Sequence, residues 1–165
     1  YNPASEKQAA LTLLDAGADV IVQHQNTPGP QQAAEERGKF GIGYNVDMSG
    51  AAPKAELTSA VWNWGPYYAS AIQQIIDGKW KSGAYWGSMK DKVVDIAPYG
   101  PAVSEETKKI TDAAKAKIID GSLKVFTGPI KDQTGNVKVA EGQTMSDEDL
   151  LKFDWFVDGV EGTIK

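Results

Sequence analysis

Three short runs hold the side chains best able to do chemistry in this sequence: His24, Gln25 and Asn26; Tyr44 and Asp47; Trp62, Asn63 and Trp64. Each run sets flat rings beside amide or carboxylate groups, or stands next to such a run. Rings stack on a planar ligand while Asn, Gln and Asp offer donors and acceptors to its edge, so the mixture suits a flat, polar heterocycle. Each residue also has a structural alternative. As a general base or metal ligand, His24 would need a carboxylate or a second ligand at motif spacing, and this single His has neither; a hydrogen-bonded loop His is the competing role. Asp47 suits a ligand contact or a cap on its own loop. Trp62 and Trp64 lie two apart and point the same way if a strand runs through them, which fits packing over a helix as well as ligand contact.

Catalytic signatures are missing. There is no G-x-S-x-G elbow, no P-loop and no pair of metal-binding His, and Gly41 and Gly43 stand without the third glycine of a dinucleotide fingerprint. The chain has no Cys, which excludes thiol catalysis, thiolate zinc sites and a disulfide framework. No catalytic residue, metal ligand or cofactor is assigned, and binding without chemistry is the expectation.

The elements that must position these runs follow from hydrophobic periodicity. Asn2-Pro3 precedes Ser5, with Gln8 at capping-box spacing, and Ala9, Ala10, Leu13 and Leu14 follow on one helical face before Gly17. Asp19 to Gln23 reads as a buried parallel strand, 30–37 as a helix with Pro at its first turn, 40–44 as a second strand and 57–61 as a third. Gly65-Pro66 opens a helix with Tyr68, Ala71, Ile72, Ile75 and Ile76 on one face. Such alternation implies right-handed crossovers and an open parallel sheet flanked by helices, an α/β fold. In such a sheet ligands bind beyond the carboxyl ends of the strands, which is where the three runs fall.

The second half is less regular. Residues 79–87 are expected to be extended, 93–97 to form a short strand, and Ser104 to cap a long helix ending at Gly121. Residues 125–140 read as a hairpin around Thr134-Gly135-Asn136, and Ser146 starts a short helix. Trp80, Trp86, Trp155 and Phe156 are tied to no strand end and are expected to pack. No repeat or linker divides residues 1–165, so one domain is the economical reading. Seventeen Lys and Arg against 22 Asp and Glu leave a net charge of -5, which argues against nucleic acid or an anionic membrane as partner. The chain starts at Tyr1 with no leader pattern, and reads as a mature, processed or truncated piece.

The runs GADVIVQHQNTPG, FGIGYNVDMS, LTSAVWNWGPYY, DGKWKSGAYWG, VVDIAPYG and FTGPIKDQTGNV occur in this order over nearly the whole chain. Together they resemble the basic membrane protein (Bmp) family, extracytoplasmic substrate-binding proteins of ABC importers, several of which bind purine nucleosides or bases. The resemblance implies two lobes of the type I periplasmic-binding fold closing on a ligand, with this chain holding one α/β lobe and a C-terminal extension. It implies a small-molecule ligand, a membrane permease as partner, and a periplasmic or extracytoplasmic site, with a lipid anchor upstream left open. By position, Asp47 matches an acidic residue that contacts ribose hydroxyls in nucleoside-binding relatives. Trp62 falls where those relatives have Lys in L-T-S-x-x-K, and replacing a cationic donor with an indole favours a bare purine base over a nucleoside. The edge of that base would pair with Asp47, Asn63, and His24 or Gln25. The same fold also serves as the sensor domain of receptors and regulators, which is the alternative function.

Overall fold

The structure, a computed structural model, describes residues 1–163. It divides into two compact units, Tyr1–Lys115 and Ala116–Lys165. In the first, the order is α1 (Pro3–Asp15), β1 (Val20–Val22), α2 (Gly29–Glu36), β2 (Phe40–Asn45), β3 (Glu56–Trp62), α3 (Gly65–Ile76), β4 (Val94–Ile96) and the start of α4 (Glu105–Asp120). The sheet order is β1-β2-β3-β4, with β1, β2 and β3 parallel. The fold is α/β with a mainly parallel sheet. β4 departs from the all-parallel expectation and runs antiparallel to β3, pairing Ala60 with Ile96 and Trp62 with Val94.

Local chemistry explains where the elements start. The expected cap at Ser5 is displaced to Asn2, whose side chain accepts from the Ser5 N–H at 3.1 Å. Pro3 causes the shift, because its fixed φ and missing N–H suit the first helical position, leaving Asn2 as the residue outside it. Glu6 answers from the first turn, accepting from the Asn2 N–H at 3.1 Å. At the other end the Gly17 N–H donates to Leu14 O and the Ala18 N–H to Leu13 O, both at 3.0 Å, closing carbonyls the helix cannot satisfy internally. Of the expected apolar face, Ala10 and Leu14 are buried while Leu13 is 57% exposed. Ser104 caps α4 as expected, its Oγ accepting from the Thr107 N–H at 3.1 Å.

The core lies between α1, α2 and one face of the sheet: Ala10, Leu14, Ile21, Ala33, Ala34, Ala52 and Ala55. Small residues let the two helices approach the strands closely. Gly41 and Gly43 serve the same approach on β2. A Cβ at Gly41 would sit 1.9 Å from Gln31 Oε1, and one at Gly43 would sit 2.2 Å from Ser59 Oγ. The G-x-G that carries no dinucleotide signature therefore clears space for buried polar groups. The rim of this layer is tied by Arg37 Nε to Asp15 Oδ1 at 2.8 Å and Lys39 Nζ to Asp19 Oδ1 at 2.5 Å. Hydrogen bonding to Arg37 and to Lys39 holds the Asp15 and Asp19 carboxyls below the usual carboxylate range.

The opposite face of the sheet is open. β1 was expected to be buried on both sides, yet Val22 is 71% exposed and only Ile21 of the strand is buried. No residue of α3 is buried, and Tyr68, Ile72, Ile75 and Ile76 on its apolar face are exposed. Trp80 and Trp86, expected to pack, are also exposed, in a segment without helix or strand.

The second unit contains a hairpin, β5 (Ile130–Lys131) with β6 (Val137–Val139), and a short helix α5 (Asp147–Leu151). Asp132 organises the hairpin turn: Oδ1 accepts from the N–H of Thr134 at 2.9 Å and of Asn136 at 3.0 Å, and from Thr134 Oγ1 at 2.7 Å. These bonds, that from the Thr134 hydroxyl foremost, hold its carboxyl below the ordinary range. A capping box between Ser146 and Asp149 starts α5. Trp155 packs as expected, stacked on Phe153 with ring centroids 4.5 Å apart.

Candidate functional site

Parallel pairing brings the strand ends into line. Val22 pairs with Ile42 and Tyr44 with Ala60, and alternation along each strand then carries His24, Tyr44 and Trp62 to the open face. Their rings form a continuous row. The His24 and Tyr44 centroids lie 4.3 Å apart with planes at 33°, and Tyr44 meets Trp62 edge-on at 6.3 Å. Trp62 and Trp64 stack at 6.2 Å and 25°, leaving the two indoles 37% and 41% exposed. They are neither core nor free surface side chains. Beyond Trp64 the row runs on through Tyr68 at 6.3 Å and Tyr67 at 6.1 Å, and Tyr67 packs on Tyr85 at 4.3 Å.

Polar groups border the row. Asn26 Oδ1 accepts from Asn45 Nδ2 at 2.6 Å, joining the loops after β1 and β2. Asn45 has φ 75°, a left-handed conformation that Asn tolerates better than most side chains and that turns the chain sharply off β2. Gln25 Oε1 accepts from the His24 N–H at 3.1 Å. Asn63 holds the chain through its backbone N–H, which donates to Val93 O at 2.7 Å. Among the described residues its side-chain amide has no hydrogen-bond partner in the protein, so a donor and an acceptor stand free on an exposed residue of the loop after β3. Asp47 is exposed and its Oδ1 closes a local turn, accepting from the Ser49 N–H at 2.9 Å.

Of the residues singled out from the sequence, the structure thus joins His24, Tyr44, Trp62 and Trp64 through ring contacts, and sets Gln25, Asn26 and Asn63 in the loops carrying them. Asp47 follows the same strand as Tyr44 but is engaged with its own loop. Sequence reasoning left out Tyr68 and Tyr85. Tyr68 has the spacing of an ordinary apolar helix face, and Tyr85 follows no strand end, so neither gave a local signal. Gln23 and Gln31 were also passed over, although a Gln ending the alternation Ile21, Gln23 marks an inward-facing amide. Among the described residues, no cluster of three His, Cys, Asp or Glu could hold a metal ion. A separate cavity of about 570 Å³ in the second unit, bordered by Lys138, Lys152, Asp149 and Trp155, involves none of the residues of the row.

Comparison with known proteins gives a consistent picture. The chain is 37% identical over 161 residues to a purine-binding protein of Brucella abortus, covering 98% of this chain and 46% of that protein. It is 33% identical over 165 residues to a putative ABC transporter glucose-binding protein of Haloferax volcanii, covering 99% of this chain and 39% of the other. A solved ABC transporter solute-binding protein from Conexibacter woesei matches with a TM-score of 0.60 and 26% identity, over 76% of this chain and 43% of that one. The chain therefore spans less than half the length of these relatives. A family model described as ABC transporter substrate-binding protein, PnrA-like, matches residues 1–127, and the chain belongs to this Bmp family.

Proposed function

We propose that this chain supplies one lobe of the substrate-binding component of an ABC importer, and that the ring row forms the wall on which a purine base lies. The reading rests chiefly on one observation, the line of rings from His24 through Tyr44 to Trp62 and Trp64 at the carboxyl ends of β1, β2 and β3. A purine stacked on this row gains about 0.5–1.5 kcal/mol per ring contact beyond burial. The free Asn63 amide, and Gln25 or His24, pair with ring nitrogens and exocyclic groups, each such bond contributing about 0.5–1.5 kcal/mol net. Asp47 Oδ1 holds the Ser49 N–H, and Oδ2 is left to accept from the edge of the base. A second lobe closes over the ligand, and a membrane permease reads the closed form from the extracytoplasmic side. No bond is made or broken in this scheme.

Tryptophan fluorescence and thermal shift on the protein carrying this chain test the reading, using adenine, hypoxanthine, their nucleosides and glucose. Purine bases quench the indoles and raise Tm, with bases binding more tightly than nucleosides. A rise in Tm with glucose and none with purines overturns the assignment in favour of a sugar, a ligand class that also stacks on aromatic rings. Chromatography of the incubated ligands shows them unchanged.

A further inference from the structure

Two glutamine side chains are buried beneath the loop that follows β1. Gln23 is 6% exposed and Gln31, on α2, is fully buried. An amide buried away from water has to place two donor hydrogens and one acceptor oxygen within the protein. Gln23 does so completely: Nε2 donates to Gln25 O at 2.7 Å and to Thr27 O at 2.8 Å, while Oε1 accepts from Gln31 Nε2 at 2.8 Å. Gln31 Nε2 also donates to Ile42 O, at 3.1 Å. A continuous chain of bonds therefore runs from the backbone of β2, through α2, to two carbonyls of the loop. Chemistry sets the orientation of Gln23, because the reverse amide would put its oxygen against two carbonyl oxygens.

The far end of this chain depends on Gly41. Gln31 Oε1 is buried without a hydrogen-bond partner and occupies the space that a side chain on Gly41 would take. The loop is also tied on its α1 side, where Thr27 Oγ1 donates to the Glu6 carboxylate. Between the two carbonyls gripped by Gln23 lies Asn26, and directly before them His24, whose ring rests on Tyr44.

We propose that the Gln23–Gln31 pair positions the His24–Thr27 loop, holding His24 and Asn26 in the geometry that completes the ring row before ligand arrives. The inference rests on the reading of that row as the ligand site, and it names the residues that pre-organise it without touching ligand. A loop held in its bound form spares the ordering cost at binding, so loosening it weakens affinity even though every contacting side chain is kept.

Three variants of the chain test this: Gln23→Met, which keeps volume and removes the donors; Gln31→Met, which removes the bond orienting Gln23; and Gly41→Ala, which displaces the Gln31 amide while leaving both glutamines in place. The ligand-free readout is the NMR shift of the His24 ring protons, which the neighbouring Tyr44 ring displaces from free-imidazole values, with the Ala60 and Val61 amides of β3 as reporters of the sheet. Adenine affinity is the second readout. In each variant His24 moves toward its free value while Ala60 and Val61 keep their positions, and adenine binding weakens by about tenfold, the equivalent of one good hydrogen bond. Unchanged His24 signals in Gly41→Ala and Gln31→Met overturn the proposal. Should Gln23→Met and Gln31→Met both fail to fold, Gly41→Ala decides alone, since its added methyl meets the movable end of a side chain. If His24 moves as expected but the parent chain binds no adenine, the positioning role stands and the nucleobase reading falls.

Discussion

The two faces of the sheet are built on opposite rules. Beneath α1 and α2 the residues are small or polar and buried: alanines, Gly41, Gly43, and the side chains of Gln31, Glu56 and Ser59. Glu56 Oε1 accepts from the Met48 N–H at 3.1 Å and from Ser59 Oγ, within the layer that Gly43 leaves room for. The other face carries Val20, Val22, Phe40, Tyr44 and Trp62, large and apolar yet partly open. Stability is concentrated where side chains are small enough for close approach, and the proposed ligand wall lies where large rings keep a face free. Substitutions on the two faces should therefore separate fold from binding.

The largest effect is expected on the covered face. Leu14→Ala removes a buried side chain from a tightly packed layer and should cost about 2–5 kcal/mol in denaturant unfolding. Gly43→Ala forces a methyl against Ser59 Oγ and should cost about 1–3 kcal/mol by overpacking. Loss of less than Ser or Ala substitutions usually produce on a surface would mean that the layer is looser than its distances indicate.

Trp62→Ala, on the open face, reverses the pattern. Losing one stacking ring should weaken purine binding by about three- to tenfold, with only a small change in unfolding midpoint. A variant that unfolds as readily as Leu14→Ala, with affinity unchanged, would assign Trp62 to the core and erase the distinction between the faces.

The smallest expected effect is electrostatic and lies at the rim of the covered face. Because the Asp15 carboxyl titrates below its unfolded value of about 3.9, its ion pair with Arg37 contributes stability above that pH and loses it as pH falls through the folded value. Thermal unfolding from pH 6 down to acid should show a modest extra drop in Tm, absent in Asp15→Asn and reduced by salt. Identical pH profiles for Asp15→Asn and the parent would remove this pair from the account of the covered face.

Much of this arrangement is readable in the sequence, but unevenly. The runs ending β1, β2 and β3 announce themselves because polar and aromatic residues follow short apolar strands, so His24, Tyr44, Trp62 and Trp64 are found by position alone. The start of α1 misleads, since Ser5 and Gln8 have capping spacing while Pro3 moves the boundary back to Asn2. Burial of β1 on both sides is suggested by its unbroken β-branched run, yet a three-residue strand at the sheet edge buries only Ile21. Tyr85 joins the row through a segment with no periodicity, and nothing local reveals it.

The sequence by itself determined the order of helices and strands and the chemistry that follows each strand, because caps, turns and periodicity act over a few neighbouring residues. Tertiary structure alone decided which face of the sheet is covered, that β4 runs antiparallel, that rings from two strands, the loop after β1, a helix and the segment beyond it join in one row, and that Gln31 reaches Gln23 across Gly41. Those outcomes depend on register and close approach between residues 8 to 36 apart in the chain, which no local pattern encodes.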